Sequence, residues 1–523
     1  MRPTPDPGSR RAILSVSDKR GLEAFGQGLV ELGFDIVSTG GTAKVLRDVG
    51  LPVTDVADVT GAPEMLGGRV KTLHPRVAGG VLANLQDPDH RRQLKAAGIE
   101  PFALVCVNLY PFEAAANAGA PDTELIEEID IGGPTLVRSA AKNHASVAVV
   151  TDPDDYLPVL DELRASGGWS DATRRRLALK AFRLTAAYDS AITTALGDRW
   201  ESNERFPERL TLSLRLEQRL RYGENPHQAA ALYGLAGASA LDGLLGAGLG
   251  ALQGKPLSYN NLLDASAAAA LARDLDGPAV VIVKHGNPCG AALGSGLLTA
   301  WQRALDADPV SAFGGVVAIR GVVDEALARA LTSIFIEVAI AVDYDHAARA
   351  VLAEKSDLRL LIDAWMLERP RSGLALRTAG GAVLASETDD DADDPTTWEV
   401  ATARGPDARE AADLDLAWRV ARRVSSNAIV LLRDGATVGI GAGQTSRVES
   451  ARIAVQRAGE RAGWAVCASD AFFPFADGVE VCLEAGVSAF VQPGGSKRDA
   501  DVIAAADAAG AVMLLTGRRH FRH

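Results

Sequence analysis

Between Arg11 and Val37 the sequence runs AILSV, then KRGLEAFGQGLVEL, then FDIVS: a short apolar stretch, a segment with helical spacing of its apolar residues, and a second apolar stretch. Strand, helix, strand in that order describes a crossover between parallel strands, which a tight turn cannot make. The alternation continues. STGGTAKVLRDVG is a Gly-Gly turn leading into a helix, LPVTDVAD is a further strand-like piece, and FALVCVNLY and SVAVVTD are apolar runs followed by turn residues or a new helix. The first part of the chain is therefore expected to be an α/β domain, a parallel sheet with helices on both faces.

A chain of 523 residues is too long for one hydrophobic core, so at least two domains are expected. From Trp169 to about Trp200 the pattern is helical and rich in Arg and Ala, and the polar, proline-containing ESNERFPERL follows it. This puts a boundary near Asn203, separating a domain 1–202 from a region 203–523. Beyond it PAVVIVKH, SAFGGVVAIR, FIEVAIAV, ATVGIG and WAVCAS predict strands, and DASAAAALARDL is an ordinary helix former. No internal repeat of fixed period is visible. The tract SETDDDADDPTTW, Ser386 to Trp398, has no apolar face and reads as a solvated loop or short disordered insertion without a function.

A formal net charge of -13 argues against a general surface for nucleic acid, because counterion release needs many Lys and Arg in one place. Local basic pockets for a single phosphate remain open. Cys106, Cys289, Cys467 and Cys482 are scattered without zinc spacing, which predicts reduced thiols in a cytoplasmic protein. MRPTPDPGSRR has no apolar core of a signal peptide and no apolar run approaches the length of a membrane span, so a soluble protein that is not exported is expected.

SVSDK follows the first strand and STGGT the second, and each sets hydroxyls and free backbone N–H groups at a strand end that opens a helix, an arrangement that binds phosphate. Such residues are also common N-caps and turns, and it is their pairing in one βαβ unit that points to an anion. GGRVKTLHPRVAGG adds two cations, Arg69 and Lys71, with Thr72 and His74, in a Gly-flanked loop. Cations there are usually solvated, but convergence with the two hydroxyl turns makes an anion pocket. Downstream, Asn108 and Tyr110 end an apolar strand, Asp130 precedes a Gly-Gly turn, and Lys142 stands near a helix end. Catalytic groups gather at strand ends in open α/β sheets, although an edge tyrosine and a lysine at a helix C-terminus are the plainer roles.

In the second region LRYGENPHQ offers Arg221, Tyr222, Asn225 and His227 in a turn-forming stretch too polar for core. VVIVKHGNPCG sets Lys284 and His285 where an apolar strand breaks into a Gly and Pro turn. An ammonium beside an imidazole lowers the imidazole pKa and keeps it available as a base. The plain alternative is a strand-capping His beside a solvated Lys. Cys289 has no Cys/His/Asn pattern around it and is expected to pack. SSNAIV, GIGAGQTSRVESAR, SDAFFPFADG, QPGGSKRD and TGRRHFRH mix glycine, polar groups and aromatics, and are expected as non-periodic loops outside the core.

RVKTLHP, NLYPF, IDIGGPT, AAKNH, RYGENPHQ, SNAIV, GIGAGQ, SDAFFPF and QPGGS, in that order between SVSDK and the closing RHFRH, resemble the bifunctional phosphoribosylaminoimidazolecarboxamide formyltransferase and IMP cyclohydrolase family. The resemblance implies an α/β chain with an N-terminal methylglyoxal-synthase-like parallel-sheet domain, the cyclohydrolase. It implies a C-terminal formyltransferase region of two duplicated cytidine-deaminase-like α/β units, and a homodimer whose formyltransferase site is shared between chains. A formyl group is then expected to pass from 10-formyltetrahydrofolate to the aminoimidazole nucleotide AICAR, and the product FAICAR to cyclise to IMP with loss of water. Deaminases of that fold hold zinc through a P-C-x-x-C pair; NPCGAAL lacks the second Cys, so no metal is expected.

Carried onto this sequence, the resemblance implies that Ser17, Asp18, Lys19, Thr39, Gly40, Gly41, Thr42, Arg69, Thr72 and Asn108 hold the cyclohydrolase nucleotide, with Lys71, Tyr110, Asp130 and Lys142 assisting the chemistry. His285 is implied as the base of formyl transfer, and Lys284 as the group that stabilises the developing charge or protonates the departing folate nitrogen. Arg221, Tyr222, Gly314, Glu337, Asn427, Arg447 and Arg519 are implied for the acceptor nucleotide, and Val448, Phe472, Asp477, Ser496 and Lys497 for the folate. The sequence departs from the family's commonest pattern at Ala78, Gly286, Glu337 and the acidic insertion near Asp389, none of which removes a catalytic group. Two competing readings are an enzyme with one working site and a non-catalytic regulator that binds a phosphate ligand.

Overall fold

Five short segments, β1 (Arg11–Ser15), β2 (Asp35–Ser38), β3 (Val53–Asp55), β4 (Leu104–Val107) and β5 (Ala148–Val150), pair side by side in the computed structural model as an all-parallel sheet in the order β3-β2-β1-β4-β5. The structure describes residues 10–201, 204–235, 244–245, 251–368, 373–390 and 392–523. The first nine residues and the boundary expected near Asn203 lie outside them. The chain divides between Ser213 and Leu214 into two compact units.

In the first unit β4 and β5 are buried along their whole length, as strands covered on both faces must be. Leu22, Phe25 and Leu29 of helix Leu22–Glu31, Leu136, Val137 and Ala140 of helix Gly132–Lys142, and Leu177 and Ala181 of helix Asp171–Trp200 supply the cover. The chain runs outward from β1 through β2 to β3 and then returns to β4 on the other side of β1. At such a reversal the crossovers diverge and leave a crevice beyond the carboxyl ends of the strands.

The second unit opens with a hairpin, β6 (Leu214–Leu220) and β7 (Ala230–Leu235). Six strands follow: β8 (Ala251–Gln253), β9 (Ala279–Lys284), β10 (Asn287–Leu293), β11 (Gly315–Val323), β12 (Ile336–Tyr344) and β13 (Arg359–Ile362). A second hairpin, β14 (Leu374–Ala379) and β15 (Ala382–Glu387), separates them from six more: β16 (Glu399–Val400), β17 (Ile429–Arg433), β18 (Ala436–Gly441), β19 (Val466–Ser469), β20 (Ala489–Gln492) and β21 (Val512–Leu515). All twelve join one sheet. Read outward from its centre, one half is β10-β9-β11-β12-β13-β8 and the other β18-β17-β19-β20-β21-β16, the same order twice, meeting where β10 pairs antiparallel with β18. A structural duplication is therefore present although no sequence period announces it.

The duplication extends to the turns. His285 and Gly286 join β9 to β10 with φ of 52° and 73°, and Asp434 and Gly435 join β17 to β18 with φ of 52° and 77°. Two residues with positive φ are what a tight hairpin needs to follow the strand twist, and His and Asp tolerate that region better than most. Each turn is gripped by an aspartate of the preceding helix. Asp264 accepts the N–H groups of His285 (3.2 Å) and Gly286 (2.6 Å); Asp413 accepts those of Asp434 (2.8 Å) and Gly435 (2.7 Å), in both halves 22 residues ahead of the glycine.

Three expectations are corrected here. NPCGAAL is not a turn but buried strand β10: the turn is complete in two residues, and Gly290 lets the helix backbone at Ala304 approach the strand. SSNAIV and GIGAGQ are not separate loops, since Ile429 and Val430 begin β17 and Gly439 to Gly441 end β18, all buried. The acidic tract is not a solvated loop: Asp389 and Asp393 hold His520, Asp390 pairs with Arg423, and Trp418 donates its indole N–H to Asp393. Carboxylates with no apolar face find order when distant cations close on them.

Gly439 is the counterpart of Gly290, facing the Ala454 carbonyl of helix Arg447–Ala458 so closely that a methyl group collides with it. Gly439→Ala is expected to destabilise the second unit by about 1–3 kcal/mol, because main chain rather than a flexible side chain must move. Denaturant unfolding checks this; an unchanged midpoint contradicts it.

Candidate functional site

In the first unit the five motif segments close into a ring at the carboxyl ends of β1, β2 and β4. Asn108, just past β4, accepts the N–H groups of Ser17 (2.5 Å) and Asp18 (2.9 Å) on its amide oxygen and donates to the Asp18 carbonyl (3.2 Å). Thr42 accepts the Val16 N–H (3.1 Å) and a bond from the Lys19 ammonium (2.8 Å), which joins the first turn to the second. Burial lowers the Lys19 pKa. Gly40 faces the Lys71 ammonium and Gly132 the Thr72 hydroxyl: a Cβ on either would lie 3.8 Å and 3.1 Å away. The ring closes where the Asp130 carboxylate receives the N–H of Gly133 at 2.7 Å and those of Gly132 and Tyr110.

The electrostatics of this ring are mixed. Helix Gly40–Asp48 begins at the Gly-Gly pair with no side-chain cap from Thr39, so its first N–H groups and its positive end point to the crevice. Lys71 pairs with Glu64 at 3.0 Å, Arg69 pairs with Glu127, and Asp18 bonds Arg20. Burial raises the Asp130 pKa above the ordinary aspartate value, only partly offset by its three backbone donors. Tyr188 supports this loop from helix Asp171–Trp200, accepting the Asp130 N–H and donating to the Glu128 carbonyl, both at 2.9 Å. Sequence reasoning missed Tyr188, whose helix gives no sign of facing a site. Lys142 is exposed at the far end of helix Gly132–Lys142, about 15 Å along the axis from Gly132 at 1.5 Å per residue, and no contact ties it to the ring.

In the second unit helix Tyr259–Asp274 gathers two motifs on one face. Asn260 donates to the Glu224 carbonyl of RYGEN at 3.4 Å, and one turn later Asp264 grips the His285 turn. Arg221 lies over the Tyr222 ring, 4.7 Å from its centroid. His285 is exposed. Lys284 is half-buried and donates to the Phe313 carbonyl at 2.7 Å, which sets it beside Gly314. Gly314 (φ 72°) donates to the Phe335 carbonyl at 2.7 Å, and Glu337, two residues on, is held by Arg359 at 2.6 Å. The ends of β9, β11 and β12 thus bring four of the implied residues together. Cys289 donates toward the Ile282 carbonyl and burial pushes its thiol up to about 12, consistent with a packing role.

The other half supplies the remainder. Arg447 is buried: its guanidinium pairs with Asp470 and donates to Ser469 Oγ (2.8 Å), the Ala428 carbonyl (3.4 Å) and the Asn427 amide oxygen (2.7 Å). These bonds make Arg447 the support of Asn427. Arg447→Ala strands the Asp470 carboxylate in the interior and is expected to cost about 3–5 kcal/mol of unfolding free energy, read by denaturant unfolding. Val448 neighbours Gly478, beside Asp477 at the start of helix Asp477–Glu484. Phe472 is 38% exposed, enough to offer a ring face. Arg498 lies over Phe475 at 5.1 Å, which brings the loop of Ser496 and Lys497 to the aromatic loop. Arg519 is exposed and stacks on Phe521 at 4.6 Å. Asn287 accepts the Ser425 N–H at 2.8 Å, joining the His285 turn to the second half.

Comparison with known proteins gives these rings a setting. Residues 21–135 match the MGS-like domain and residues 140–457 the AICARFT/IMPCHase bienzyme. The bifunctional purine biosynthesis protein PurH of Rhodospirillum rubrum is 49% identical over 531 residues, covering 98% of this chain and 99% of the relative. Those of Cereibacter sphaeroides and Prochlorococcus marinus are 51% and 52% identical, each over 98% of this chain and over 98% and 99% of their own. A match of this extent spans both units, and the chain belongs to the AICARFT/IMPCHase bienzyme family.

Proposed function

We propose that the two reactions of this bifunctional purine-biosynthesis family are divided between the two units, formyl transfer in Leu214–His523 and ring closure in Met1–Ser213. The observation that carries the reading is the contrast between the matched hairpin turns: Asp434 occupies one, and the exposed His285 beside Lys284 the other. A scaffold needs only the first kind. The AICAR amine is a poor nucleophile that must lose a proton as it attacks the formyl carbon of 10-formyltetrahydrofolate. His285 takes that proton, and Lys284 meets the oxyanion or protonates the departing folate nitrogen. Asn427, held by Arg447, orients the formyl group. Arg221, Tyr222, Gly314, Glu337 and Arg519 receive the nucleotide, and Val448, Phe472, Asp477, Ser496 and Lys497 the folate, with the Phe472 ring as a flat partner for the pterin.

In the first unit the N-terminus of helix Gly40–Asp48, with Ser17, Lys19, Thr39, Thr42 and Arg69, receives the phosphate of FAICAR. The carboxamide nitrogen attacks the formyl carbon and water leaves. Lys71 polarises the formyl oxygen, while Asp130 and Tyr110 move protons. Both reacting groups sit on one substrate, so orientation supplies most of the acceleration. Homodimeric assembly with a shared formyltransferase site is supported by apolar residues exposed on the two isolated hairpins, Leu214, Tyr233 and Leu235 on β6–β7 and Val383 and Leu384 on β14–β15. The test is turnover. AICAR with 10-formyltetrahydrofolate is expected to yield IMP, whereas a regulator binds AICAR without consuming it.

A further inference from the structure

Near the end of the chain two carboxylates close on one imidazole. His520 is 2% exposed, with Nδ1 2.6 Å from Asp389 Oδ2 and Nε2 2.7 Å from Asp393 Oδ2. Ionised carboxylates only accept, so both ring nitrogens are satisfied together only when both carry protons. Trp418 donates to the same Asp393 oxygen at 2.7 Å and sets its ring edge-on to His520, centroids 5.3 Å apart. Arg518 stands 3.7 Å from Asp393, Arg422 donates to the Asp389 carbonyl at 2.5 Å, and Arg423 bonds Asp390 and Asp274. On the other side the His520 N–H donates to the carbonyl of Asp470, whose carboxylate holds Arg447.

Two residues on, Arg522 donates to the Gly286 carbonyl at 2.6 Å and to the Arg423 carbonyl at 2.9 Å, and its own carbonyl accepts the Ser426 N–H at 2.8 Å. The His285 turn is therefore gripped twice, by Asp264 on its N–H groups and by the tail on its carbonyl. At the matching turn Asp413 makes the first grip, but the Gly435 carbonyl takes a backbone N–H from Leu293 at 2.9 Å, and an arginine, Arg303, bonds the Asp434 carbonyl and not the glycine's. The turn that carries the histidine is held at its glycine carbonyl by the C-terminal tail, whereas the matching turn is held at its aspartate carbonyl by Arg303 of its neighbouring half.

We propose that His520, as an imidazolium bridging Asp389 and Asp393, is a positioning residue for formyl transfer: it locks the C-terminal tail so that Arg522 fixes the Gly286 carbonyl and with it the aim of His285. The inference rests on His285 being the base. Burial opposes the His520 charge, but the hydrogen bonds and charges of Asp389 and Asp393 outweigh it and raise its pKa above the ordinary imidazole value. Burial also opposes ionisation of the two carboxylates, and their bonds to His520 outweigh that and lower theirs. A raised histidine stabilises fully below its unfolded pKa and loses its contribution as pH rises through the folded one, whereas the carboxylates lose theirs as pH falls through their lowered values. The lock therefore opens on the alkaline side.

The test compares pH profiles of kcat for both half-reactions in the full-length wild type, Asp389→Asn and His285→Ala. Removing one carboxylate is expected to move the alkaline fall of formyl transfer down by about one pH unit, which is about a tenfold lower rate at a pH on that limb, with KM for AICAR little changed. Ring closure in the same preparation keeps its profile, and the unchanged KM for AICAR reports that the second unit is folded. An Asp389→Asn limb that coincides with the wild-type limb overturns the lock. If His285→Ala transfers formyl groups normally, the base assignment itself fails, a distinct outcome. Should Asp389→Asn not fold, histidine-ring NMR of the wild type decides: a His520 titration midpoint on the alkaline limb supports the lock, and one away from it overturns it.

Discussion

His285→Ala is expected to lower formyl transfer by about 10²–10⁴-fold, the range a positioned general base contributes, and to leave ring closure of supplied FAICAR unchanged. The size of the effect follows from the substrate: an aromatic amine keeps its proton too tightly to attack unaided. Its confinement follows from the division of the chain, because His285 belongs to the unit Leu214–His523 and the Asp130 ring to Met1–Ser213. The turn tolerates alanine poorly at a φ of 52°, so His285→Asn, which adopts that region more readily, is the companion variant. If Asn is as inactive as Ala, the loss is of the imidazole and not of the turn. A rate within a few-fold of wild type for either would mean that the proton leaves by another route.

Asp130→Asn is expected to reverse the pattern, lowering ring closure by about 10²–10⁴-fold while formyl transfer persists and FAICAR accumulates. Burial already holds the Asp130 carboxyl above its ordinary pKa, and that brings a carboxylate closer to the strength a base needs near neutral pH. As the proton acceptor it must be ionised, so ring closure in the wild type falls as pH drops through that raised value. Asn retains the shape and one acceptor oxygen for the Gly133 N–H, which keeps the loop in place. Ring closure that stays constant down to the ordinary aspartate range would assign the proton to another group.

The strands were legible wherever an apolar run stood between turn residues, as at Ala279–Lys284, Gly315–Val323 and Ile336–Tyr344. β10 was not, because Pro288 and Gly290 are the commonest signs of a turn and their local reading competes with the packing that requires Gly290. The motif loops of the first unit could be paired from the sequence, but their closure through Lys71 and Gly40, or Thr72 and Gly132, is a property of the sheet order and invisible to spacing. Asp264 was hidden in an alanine-rich helix. A signal existed: Asp264 and Asp413 each precede an apolar strand and a two-residue turn ending in glycine by the same interval. The acidic tract was misread because its partner lies 131 and 127 residues away, at His520.

The central claim is that one chain carries two complete and separate sites. Mixing His285→Ala with Asp130→Asn, each about 10²–10⁴-fold slower than wild type in converting AICAR and 10-formyltetrahydrofolate to IMP alone, tests it most directly. The account predicts that IMP forms faster in the mixture than with either variant alone, as FAICAR released by the second variant is closed by the first. A mixture as slow as its components, with both folded, would contradict it.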